Sequence, residues 1–100
     1  MIASVNNPKL RKAVREYYTY LGDRKAKPVM MVDNLYSDYV LLLVRFIDSD
    51  GNEMSALMDI QEWADGHFDV TEMFTADRAD EERLCKDFVE SKEYKIEVVE

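Results

Sequence analysis

The chain has 100 residues, 47% of them hydrophobic and 34% charged, the balance of one folded domain and neither a disordered tail nor two domains. It carries a net charge of −8. No apolar run approaches the roughly 18 residues needed to span a bilayer, so an integral membrane protein is not expected.

The single cysteine, Cys85, cannot form an intramolecular disulfide, and the first residues lack the pattern of a secretory signal. A cytoplasmic location is the expectation. The charge is segregated. Residues 1–30 hold seven Lys/Arg against Glu16 and Asp23, a net +5, while the rest hold six against nineteen Asp/Glu, a net −13. Such a surface repels a phosphate backbone and attracts basic partners.

In chain order, Asn7 and Pro8 predict a helix start, a side-chain cap followed by a proline at the first helical position. Leu10, Ala13, Val14, Tyr17, Tyr18 and Leu21 then recur on one face, and Gly22 is placed to end the helix in a left-handed cap. A basic loop, Asp23 to Lys27, leads to a short strand, Val29 to Val32, and a turn at Asp33-Asn34. The run Tyr39 to Ile47 is apolar on both faces. That suits a central strand covered on both sides, or one whose second face meets a partner. Asp48-Ser49-Asp50-Gly51-Asn52 predicts a hairpin turn. On the returning strand, Met54, Ala56, Met58 and Ile60 point inward, and Glu53, Ser55, Leu57 and Asp59 outward.

Gln61 to Phe74 admits two readings: a short strand around Phe68 and Val70, or a helical turn opened by Asp69 with Glu72 in the capping-box position. A second helix is expected from Asp77 to Ser91, its apolar stripe formed by Leu84, Cys85, Phe88 and Val89 and its first turns loaded with acidic residues. A closing strand around Tyr94, Ile96 and Val98 completes an α+β domain over residues 1–100. Its order is α-β-β-β-(β or turn)-α-β, a mainly antiparallel sheet of three to five strands with helices packed on it.

Three groupings could carry chemistry. The Asp48 turn resembles a calcium loop only superficially, because Gly51 and Asp59 fall at the wrong positions. Asp65, His67 and Asp69, at i, i+2 and i+4, would share one face of a strand and could bind a metal or serve hydrolysis. Gly66 interrupts that pattern, and an exposed polar loop is the preferred account. The basic cluster Lys9, Arg11, Lys12, Arg15, Arg24, Lys25 and Lys27 lies near Tyr17, Tyr18 and Tyr20, but the overall charge opposes direct nucleic-acid binding.

No nucleophile elbow or phosphate-cradling loop is present, and Cys85 shares its stripe with Leu84 and Phe88 as a structural thiol would. No cofactor is called for. The reading favoured by the sequence is therefore an acidic binding or inhibitor module docking on a basic protein, a nuclease or other nucleic-acid-binding protein included. Its carboxylates would stand in for phosphates, an analogy of size and charge with small phage-encoded defence inhibitors and toxin-immunity proteins. The candidate surface comprises Tyr36, Tyr39 and Trp63 as anchors with Asp59, Glu62, Asp65, Asp69, Glu72, Asp77, Asp80, Glu81 and Glu82. Two alternatives stand beside it: the Asp65/His67/Asp69 domain, and a homo-oligomer that buries the second face of the strand Tyr39 to Ile47.

Overall fold

The computed structural model describes residues 5–33, 40–88 and 92–94. Helix α1 spans Pro8–Tyr20. The Asn7 side chain accepts from the N–H groups of Lys9 at 2.9 Å and Leu10 at 3.4 Å, satisfying two donors that the helix cannot. At the other end, Gly22 takes φ +86°. The N–H groups of Asp23 and Gly22 return to the carbonyls of Tyr18 and Thr19, the paired bonds of a glycine-terminated helix. Leu10, Val14 and Tyr18 are fully buried along one stripe.

Five strands follow: β1 (Arg24–Asp33), β2 (Val40–Ile47), β3 (Glu53–Glu62), β4 (Phe68–Asp77) and β5 (Lys92–Tyr94). They form one antiparallel sheet in the order β4-β3-β2-β1-β5. The expected α+β architecture is present. β2 is central, with Leu41 to Val44 all fully buried. Its alternate residues feed two cores. Leu42, Val44 and Phe46 join α1, Ala56, Met58 and Phe68 on one face, while Leu41 and Leu43 meet Val32, Leu57 and Cys85 on the other. That second face is covered in part by helix α2 (Glu81–Phe88), which a single 3₁₀ turn, Arg78–Asp80, connects to β4. Because Leu41 and Leu43 are buried within one chain, their side of β2 needs no second copy to cover it.

Three expectations are corrected, and a fourth is decided between its two readings. Arg24 to Lys27 form the start of β1, not a loop: register shifts, with Lys25 at φ +55°, let this polar stretch pair with β2 despite its composition. Ser55 and Leu57, expected to point outward, do face away from α1 but are fully buried, Leu57 in the second core and Ser55 against Glu81. Of the two readings for Gln61 to Phe74, the strand around Phe68 and Val70 holds, longer than expected, and the helical turn at Asp69 does not form. The second helix begins at Glu81, not Asp77. The expected turn at Asn34 and the strand positions after Tyr94 lie outside the described residues. No helix among the described residues is long and apolar enough to cross a membrane.

Candidate functional site

The β3–β4 connection is built by a short hydrogen-bonded turn. The Trp63 N–H donates to the His67 carbonyl at 2.9 Å, and the Gly66 N–H donates to the Trp63 carbonyl at 2.9 Å. Gly66 takes φ +89°, a conformation that side-chain-bearing residues rarely adopt. The β2–β3 turn repeats the pattern, with Asp48, Gly51 at φ +88° and Asn52 in the equivalent places. There the Asp48 carboxylate accepts from the N–H groups of Asp50 and Asn52 at 3.0 and 2.8 Å, which holds it below the usual carboxylate range. Its oxygens cap the turn, as a solvated hairpin requires.

Side chains at the Trp63–His67 turn are organised. The Trp63 ring stacks on His67 with centroids 5.9 Å apart, and its Nε1–H donates to the Asp69 carboxylate at 2.7 Å. Asp65 accepts from the His67 N–H at 3.1 Å and pairs with His67 Nδ1, and these bonds lower its carboxyl. The Lys9 ammonium, from the first turn of α1, lies 3.0 Å from where a Cβ on Gly66 would sit. Asp59 stands opposite Thr71, and Gln61 opposite Asp69. Strand alternation therefore puts Asp59, Trp63 and Asp69 on the face turned from α1. Glu62, on the α1 side by the same alternation, and Asp65, in the turn, are exposed at this hairpin end. Of the sequence-derived set, five positions thus fall at this end of the sheet: Asp59, Glu62 and Asp69 on the last four rungs of the β3–β4 ladder, and Trp63 and Asp65 in the turn beyond them.

The remaining acidic residues are placed elsewhere. Glu72 faces α1 and accepts from the buried Tyr18 hydroxyl at 2.9 Å. Burial, then the charge of Glu72, pushes the Tyr18 phenol far above its ordinary range. Glu81 is turned inward with its side chain only 13% exposed. It accepts from Arg45 Nε and Nη2, each at 2.9 Å, and from the Ser55 hydroxyl at 2.9 Å, with Arg78 Nε at 3.9 Å. Arg78 in turn donates to the carbonyls of Met54 and Phe46. This network fastens the start of α2 to the β2–β3 hairpin.

Asp77, Asp80 and Glu82 lie at the far end of β4. Asp69 and Asp77 are eight residues apart, roughly 25 Å at strand rise. Asp80 pairs with Arg83 at 3.7 Å and Glu82 with Lys86 at 2.8 Å. The acidic set is thus split between a hairpin end, an opposite end and two internal positions. Tyr36 and Tyr39 lie outside the described residues. Sequence reasoning did not single out Arg45, Arg78 or Ser55. The one signal was Arg45, a lone charge inside the apolar run of β2.

Of Asp65, His67 and Asp69, the first two pair with each other and the third does not join them. Asp69 is held by the Trp63 indole, and among the described residues no three His, Cys, Asp or Glu side chains are grouped as metal ligands. The basic residues of α1 do not interleave with exposed aromatics along the helix: Tyr17 and Tyr18 pack against each other at 5.2 Å on the sheet side, and Tyr20 alone of the three is exposed. Comparison with known protein families, curated proteins and solved structures finds no match to this chain.

Proposed function

We propose that this chain is a binding module that docks on a basic protein through the end of its β3–β4 hairpin. The observation that supports this reading most is the half-exposed indole of Trp63, bonded to Asp69 and sharing its face of the sheet with Asp59, with Glu62 and Asp65 exposed at the same hairpin end of a chain of net charge −8. The indole is held in place by His67 and Asp69, so little side-chain freedom is lost when a partner packs on it. Carboxylates around a fixed aromatic suit Lys and Arg side chains, through charge and through the ring face. Proteins that ordinarily take phosphates offer such side chains, and a nucleic-acid-binding protein, a nuclease included, is the partner class this chemistry favours.

Trp63 is the sole tryptophan, so its fluorescence reports binding directly. Titration with an oligolysine peptide at low salt is expected to give a saturable change. The double substitution Asp59→Asn/Asp69→Asn should weaken binding about tenfold, as two partly desolvated charge contacts would. The matched change Asp80→Asn/Glu82→Gln, at the far end, should leave it within about twofold. Equal losses for the two pairs would reduce the interaction to unspecific net charge and overturn the reading.

A further inference from the structure

β4 is the last strand on its side of the sheet, and an edge strand directs every second residue's N–H and C=O outward. The bond from the Trp63 N–H to the His67 carbonyl fixes which residues these are. Bonded and non-bonded pairs alternate along an antiparallel ladder, so Asp69 and Thr71 bond to β3 while Phe68, Val70 and Glu72 point away from it. Glu72 fits this count: its N–H reaches out to the Tyr17 hydroxyl on α1 at 3.3 Å. Tyr17 therefore closes the middle of the edge. Between Tyr17 and the turn, Phe68 and Val70 make no main-chain hydrogen bond beyond the sheet among the described residues.

We propose that the β4 edge at Phe68–Thr71 seats an extended basic segment of the partner, added antiparallel to the sheet as a further strand. This rests on the hairpin end being the docking surface and specifies how docking occurs. Charge selects the occupant. A second copy, itself at −8, would bring two acidic hairpin ends together, which like charge opposes. In the antiparallel arrangement the incoming residue opposite Asp69 shares its face with Trp63 and Asp59 and is Lys or Arg. The next, opposite Val70, lies on the α1 side and is apolar. It exchanges both main-chain bonds with Val70. The sheet already takes such a short addition at its opposite edge, where the three residues of β5 pair antiparallel with Met31–Asp33.

The probe is a capped alternating Lys-Val hexapeptide, compared with forms N-methylated on its valines or on its lysines. Methylating the valines should weaken binding about tenfold, since their N–H groups face the edge, and methylating the lysines should change it less than about twofold. Hydrogen exchange should slow at Phe68 and Val70 on binding. If both methylated forms bind like the parent while Asp59→Asn/Asp69→Asn still weakens all three, the acidic hairpin end stands and strand addition is overturned. If the parent peptide does not bind at low salt, both fall. Protection of Phe68 and Val70 that rises with protein concentration in the absence of peptide would assign the edge to a second copy and likewise overturn the proposal.

Discussion

Replacing Glu81 with alanine removes the acceptor on which the α2 latch is centred. Three hydrogen bonds of 2.9 Å are lost, two from Arg45 and one from Ser55. A hydrogen bond to a charged group contributes about 1.5–3 kcal/mol when its loss leaves the partner buried. The Arg45 side chain is 40% exposed, so water takes over much of its solvation and its share falls toward the ~1 kcal/mol of a surface pair. Ser55 is fully buried, and its orphaned hydroxyl adds roughly 1 kcal/mol or more. The expected loss in urea denaturation at neutral pH is about 2–3 kcal/mol, against less than about 0.5 for Asp80→Ala at its exposed pair.

The same residue has a pH signature. Burial opposes ionisation of Glu81, but the hydrogen bonds from Arg45 and Ser55 and the charges of Arg45 and Arg78 outweigh it, holding the carboxyl below its ordinary 4.5. A carboxylate with a depressed folded-state pKa stabilises fully above its unfolded pKa, and that contribution disappears as pH falls through the folded value. Below pH 4.5 the parent protein should therefore lose stability more steeply than Glu81→Gln. A loss under about 1 kcal/mol for the alanine variant, or identical acid slopes for parent and glutamine variant, would refute the role assigned to the latch.

Tyr18→Phe deletes the donor to Glu72 while keeping the ring that stacks on Phe46 at 4.3 Å, and should cost about 1–2 kcal/mol in urea denaturation. Because burial and Glu72 raise the phenol above its ordinary 10.0, its contribution is complete below that pH and lost as pH rises beyond it. The parent should then destabilise more steeply than the variant above pH 10, and equal slopes would contradict this. Gly51→Ala and Gly66→Ala each force a left-handed backbone on alanine, costing about 1–2 kcal/mol by thermal unfolding. Only at Gly66 must the Lys9 ammonium also shift, so that variant should be no more stable than the other.

What was legible in the sequence was what is determined locally. The Asn7-Pro8 start and Gly22 stop of α1 depend on neighbouring residues, as does the hairpin at Asp50-Gly51. The second hairpin carries the same signal, Asp65-Gly66 at the same offset, but there Gly66 reads only as a break in a strand through Asp65, His67 and Asp69. Alternation in β3 sorted residues onto the right faces, yet it could not say that α2 would cover Ser55 and Leu57. Glu72 and Glu81 look like surface charges in the sequence because their partners are remote: Tyr18 lies 54 residues from Glu72, and Arg45 lies 36 from Glu81. All four acidic residues of the β3–β4 end, Asp59, Glu62, Asp65 and Asp69, are legible in the sequence as charge. The placing of Asp59 and Asp69 on one face with Trp63 depends on a register that only the folded sheet supplies.

The most direct test of the central claim is the map of amide chemical-shift changes as the alternating Lys-Val peptide is titrated into the protein. The account predicts changes concentrated between Asp59 and Thr71, with the Trp63 indole N–H among the largest and α2 nearly silent. Changes of equal size around Asp77, Asp80 and Glu82 would contradict a docking surface at the β3–β4 hairpin.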